Sequence, residues 1–175
     1  MNSRFPLLSV STLLAFASLQ AAPANSKSPA ASRVEVTFVD VEKFTDAADS
    51  TRGSDWGREG NLDILKEYLQ RRVSRALPEG QKLVVKITDV DLAGEIEPWN
   101  APRLQDVRIV KEIYPPRIEL SFQLFDAAGA VIKEGQRHLS DMSFLMNTTS
   151  IRSDARIYEK NLIDDWVRSE FPGKK

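Results

Sequence analysis

The stretch Asp89-Val90-Asp91-Leu92-Ala93-Gly94-Glu95 places three carboxylates within seven residues. Alternating oxygen ligands closed by a glycine turn are the chemistry of a calcium loop. Such a loop takes ligands at its first, third, fifth and twelfth positions and a glycine at its sixth. Counted from Asp89, Asp91 and Gly94 fall in place, but the fifth position is Ala93 and the twelfth is Asn100. The flanking segment also reads as strand rather than helix. Asp89, Asp91 and Glu95 are therefore candidate ligands of an irregular divalent-metal site, with Ca2+ the one ion the pattern suggests. A plainer reading makes them solvated acids at a strand end. No other cofactor is implied.

Two tryptophans raise a different chemistry. Trp56 and Trp99 fall in segments rich in glycine, proline and polar residues, which read as loops. An indole in a loop leaves apolar surface in water unless it packs or binds something. With Arg58, Arg103 and Tyr114 they could line a groove for a peptide or glycan, with Trp56, Trp99, Arg103 and Tyr114 the candidate ligand-binding residues. The alternative is that each tucks into the domain as an anchor. Pro115-Pro116 removes two backbone donors, so the chain there must kink, and a strand edge exposed beside the kink could accept a partner strand.

Other chemistries find little. There is one histidine, His138, and no cysteine. That excludes a histidine-rich metal site, disulfides, thiolate zinc and a cysteine nucleophile. No G-x-S-x-G elbow, phosphate-cradling glycine loop or dinucleotide fingerprint is present. Paired carboxylates for glycoside chemistry are available in such number, among 25 acids, that no pair stands out. No catalytic residue is assigned. Lys plus Arg is 24 against those 25 acids, a net charge of −1, which argues against a nucleic-acid partner.

The elements that must carry these residues begin after a targeting segment. Arg4 precedes an apolar run from Phe5 to Leu19 that is too short to span a bilayer, and Ala22-Pro23-Ala24 offers a small-residue cleavage site. Residues 1–24 read as a signal peptide, 25–32 as a flexible Ser/Ala/Pro tether, and 33–171 as one α/β domain. The product is expected in the periplasm or secreted, with no transmembrane anchor after signal removal.

Alternating apolar residues predict strands over 33–40, 82–92, 107–114, 117–126 and 130–139, with a bulge at Gly135. The 107–114 strand is read as running on, bent, through the prolines. Three- and four-residue spacing predicts helices over 62–77, capped by Asn61, and over 155–171. The segment 45–60 reads as a long polar loop. Asp126-Ala127-Ala128-Gly129 reads as a hairpin turn. The order strand, helix, strands, helix implies an α+β fold: a two-layer sandwich with one mixed, largely antiparallel sheet of four to five strands and two helices on one face. The crossover from the first strand could make the first two strands parallel neighbours.

Four segments, VEVTFVDVEKFTD, ITDVDLAGEIEPW, VRIVKEIYPPRIELSFQLFDAAGAVIKEG and YEKNLIDDW, carry a resemblance. Together they resemble a Gram-negative envelope family, the domain of unknown function three-zero-one-six. The resemblance runs from about Val34 to Trp166 and implies export and a single domain; it supplies no catalytic or binding residue. The functional expectation is a non-enzymatic exported binding or accessory protein whose partner is an envelope protein, a peptide or a glycan. The alternatives are an envelope hydrolase using acidic residues and a divalent-metal-binding protein.

Overall fold

A computed structural model describes residues 33–48, 55–97, 99, 107–146, 154 and 156–172. Its centre is a four-stranded sheet of β1 (Val34–Phe38), β2 (Lys82–Asp91), β5 (Arg117–Phe125) and β6 (Val131–Ser140), in the order β1-β2-β5-β6. A two-stranded ladder joins β3 (Glu95–Ile96) to β4 (Arg108–Ile109). Two helices, α1 (Asp55–Ala76) and α2 (Ile157–Glu170), cover one face. The protein is an α+β two-layer sandwich. β1 and β2 are parallel, which the helical crossover between them permits, and the other pairs are antiparallel.

The core follows from side-chain period. Val34 and Val36, then Leu83, Val85 and Ile87, then Ile118, Leu120, Phe122 and Leu124 all turn to the helices. They meet Leu62, Leu65, Leu69 and Val73 of α1 and Leu162, Ile163, Trp166 and Val167 of α2. Phe122, Trp166 and Phe171 form an edge-to-face trio with ring centroids 5.5–5.9 Å apart, a favoured aromatic geometry. Truncating a fully buried member such as Leu69 to alanine would cost about 2–5 kcal/mol.

A register shift between Ile87 and Asp89 changes which residues face the helices. After Leu83, Val85 and Ile87, the next buried residue of β2 is Val90. One extra residue at Thr88 therefore turns Asp89 and Asp91 away from the core, opposite Glu119 and Arg117.

The β5–β6 hairpin closes as its residues require. Asp126 Oδ1 accepts hydrogen bonds from the N–H groups of Ala128 and Ala130, both at 2.9 Å, and Gly129 takes φ 84°. The irregularity of this pair lies at Leu124/Phe125, opposite Lys133 and Val131, and register runs unbroken through Gly135. Gly135 instead makes room: a Cβ there would stand 2.6 Å from the Arg137 guanidinium, which lies over the Phe122 ring at 5.2 Å.

Two elements differ from the sequence expectation. α1 begins at Asp55, so Asn61 is inside the helix. Its side chain donates to the Ala47 carbonyl and accepts from Arg156 Nε, joining two segments instead of capping. Strand structure in 107–114 is confined to Arg108–Ile109, followed by a turn. Pro115 and Pro116 are buried between that turn and β5, and β5 is an interior strand, so the prolines expose no edge on it. The signal-peptide and tether assignments lie outside the described residues. Among the described residues, no helix is long and apolar enough to cross a membrane.

Candidate functional site

The carboxylates singled out in the sequence do not converge. Asp89 accepts from the Thr45 N–H at 2.6 Å and from its hydroxyl at 2.7 Å. Asp91 pairs with Arg117 at 3.4 Å. Glu95 Oε1 accepts from the N–H of Ile96 at 2.9 Å. Among the described residues, no three histidine or acidic side chains are grouped as a metal ion would need. Asp91 is nevertheless perturbed: burial pushes its carboxyl up to about 6, Arg117 opposes that, and Asp46, Asp89 and Glu95 add to it. His138 stands exposed on the outer face of the sheet, 3.1 Å from Glu119.

The aromatic set divides. Trp56 lies in the first turn of α1 rather than a loop, and its side chain, like Arg103, lies outside the described residues. Trp99 is exposed, and Tyr114 is half-buried, its hydroxyl donating to Glu97 Oε1 at 3.0 Å. Lys111 Nζ donates to both oxygens of the same carboxylate, at 2.8 Å to Oε2. Glu97 is itself buried. It clips the turn after β4 to the chain after β3, and Trp99 follows two residues later, at most about 7 Å along the chain.

Beside that clip is a surface the sequence reading missed. Ser140, at the end of β6, pairs with Arg117, at the start of β5. The turn over 142–146 and the turn over 112–114 therefore stand at the same end of the sheet. Between them lies a groove of about 370 Å³ lined by Glu112, Ile113, Met142, Ser143, Leu145 and Met146. Ile113, Met142 and Met146 are 69%, 70% and 82% exposed, and Trp99 is 72% exposed. The 142–146 turn is ordered by its own bonds. Ser143 N–H donates to Asp141 Oδ1 at 2.8 Å, and Met146 N–H to the Ser143 carbonyl at 2.8 Å. Phe144 is buried edge-on against Tyr158 of α2, with centroids 4.9 Å apart. One apolar residue of the turn is an anchor, and Met142, Leu145 and Met146 are held outward. The available signal was the run Met142-Ser-Phe-Leu-Met146, with too many apolar residues for an ordinary connecting turn.

A buried polar network supports this end of the domain. The Arg108 side chain is 9% exposed. Its terminal nitrogens grip both oxygens of Asp46 at 2.8 Å and donate to the carbonyls of Gly94 and Ala48. Glu159, on the first turn of α2, is 1% exposed and accepts from the Ala93 N–H at 2.7 Å. Burial raises its carboxyl, which the Ala93 N–H and nearby Arg156 and Arg108 oppose. Arg156 precedes α2 in a left-handed conformation, φ 61°, a strained position for arginine. Its Nε bond to Asn61 holds it there.

The described residues thus define a small α+β sandwich with an internal polar brace and an outward apolar groove at one end of its sheet. A family model described as protein of unknown function (DUF3016) matches residues 32–169, and the chain belongs to that family. No curated protein matches the sequence. Among solved structures it is similar to a PelC dodecamer from Paraburkholderia phytofirmans at 18% identity, over 84% of this chain and 93% of that one, with a TM-score of 0.33. That overlap is too loose to carry fold, function or assembly across.

Proposed function

We propose that this chain is a non-enzymatic binding or accessory protein of the bacterial envelope, exported by its N-terminal segment and engaging a protein or peptide through the groove between the 112–114 and 142–146 turns. The observation that carries the reading is the clustering of exposed apolar side chains. Ile113, Met142, Leu145 and Met146 share one groove and are presented by turns that hydrogen bonds and Phe144 hold in place. Scattered exposed apolar residues need no explanation, whereas a grouped and ordered set is the mark of an interaction face. Methionine suits such a face because its unbranched, polarisable side chain adapts to a partner's shape.

The test is in-cell photocrosslinking with the probe at Met142 or Met146, and at Glu79 as an exposed control on a different turn. A discrete adduct from the groove positions, absent from the control and lost on Ile113→Ser, is expected. Equal labelling from all three would argue against a binding face. Export is read from the N-terminal peptide of the protein recovered from the periplasm. A start at Asn25 or Ala22 supports it, and an intact Met1 in the cytoplasm contradicts it.

A second reading rests on Asp91. A carboxyl raised to about 6 is suited to donate and accept protons near neutrality, as an acid-dependent envelope hydrolase would need. Turnover of cell-wall or ester substrates that is lost in Asp91→Asn would favour it.

A further inference from the structure

We infer that the groove selects a cationic amphipathic peptide segment, one that offers apolar side chains to Ile113, Met142, Leu145 and Met146 and flanks them with lysine or arginine. This rests on reading the groove as a binding face and adds the chemistry of the partner. The charge around the groove carries the selection. Glu112 is the one charged residue among the six that line it, and Asp141 immediately precedes Met142. Of the described cations at this end of the sheet, Lys111 is held on both oxygens of Glu97 and Arg117 pairs with Asp91. Among the described residues, the groove's lining thus carries one carboxylate and no cation. Complementary charge at such a rim steers encounter and rejects partners of the wrong sign. The same carboxylates disfavour an anionic lipid surface, whose headgroups they repel. The groove's volume, about 370 Å³, suits the few apolar anchors that an amphipathic helix lays into a partner.

The experiment titrates the purified protein with two synthetic peptides of equal length and apolar pattern, one built from Leu and Lys, the other from Leu and Glu. Binding is read from methyl NMR shifts of Ile113, Met142 and Met146. The Leu/Lys peptide is expected to shift these methyls, and raised salt to weaken it. Glu112→Lys should weaken it about five-fold, the scale of one exposed charge pair. Met142→Ser with Met146→Ser should abolish it. All substituted side chains are exposed, so an unchanged melting temperature serves as the folding control. Equal binding of both peptides overturns the charge selection and leaves the binding face standing. Binding of neither overturns the inference alone, because the crosslinking experiment reads the face without any added peptide. Stronger methyl shifts with phosphatidylglycerol vesicles than with the Leu/Lys peptide overturn it in favour of a lipid surface.

Discussion

At neutral pH an ionised Asp91 costs the folded chain stability. Its carboxyl titrates near 6 in the fold against an ordinary value of 3.8. Between those values the folded chain holds a proton that the unfolded chain has released, so stability falls as pH rises through that window. Asp91→Asn should raise the melting temperature at pH 7.5, and the gain should shrink as pH falls below 6 and vanish by about pH 3, where both states are protonated. Arg117 offsets part of this. Arg108 works in the opposite sense. Removing it leaves Asp46 and two carbonyls without a buried partner, so Arg108→Met should cost about 3 kcal/mol or more. A melting temperature lowered by on the order of 10 °C would show it. Combining it with Asp46→Asn should cost less than the two changes summed, since both delete one interaction. Neither role was legible in the sequence. Asp89, Asp91 and Glu95 looked like a ligand set because spacing reports separation along a strand, and a single extra residue at Thr88 decides where the carboxylates point.

Among the elements, the sheet and α2 were largely legible and the irregular pieces were not. β5 shows a strict alternation of apolar and polar residues, and the strand is found over Arg117–Phe125. α1 begins earlier than its apolar stripe suggested because Gly57 and Gly60 made its first turns read as loop. Glycine is a poor helix former, not a forbidden one. Gly60 has open space around its Cβ position, so Gly60→Ala should stabilise the helix by about 0.5–1 kcal/mol. Gly94 should behave oppositely. It takes φ 85°, and a Cβ there would stand 2.8 Å from the Ile109 carbonyl oxygen. Gly94→Ala should destabilise the fold by more than the roughly 1–2 kcal/mol of a left-handed non-glycine residue, measured by denaturant titration. At the sheet edge, Lys133 and Arg137 of β6 turn toward the helices and bond Glu170. Burial alone would raise the Glu170 carboxyl, but Arg137 and Lys133 hold it below its ordinary value. Its contribution is present above the ordinary carboxylate range and is lost as pH falls through the depressed value. Glu170→Gln should therefore lower the melting temperature at pH 7, and by progressively less as the pH is lowered into the acid range.

For the molecule as a whole, a single apolar cluster joins both helices to β1, β2 and β5, with Leu139 of β6 packed against it. Tryptophan fluorescence and far-ultraviolet circular dichroism should accordingly report one coincident unfolding transition. The groove was hidden from sequence reasoning because its two turns are separated by the β5–β6 hairpin and meet only when that hairpin pairs. The crossover that makes β1 and β2 parallel has a further consequence in time. Of the described strands β1 is synthesised first, yet its neighbour arrives only with Lys82, and the trio Phe122, Trp166 and Phe171 needs α2, which follows all of them. Such distant pairings close slowly and late. Among the described residues, no portion preceding α2 contains the whole core, so the apolar cluster can close only once α2 has been made.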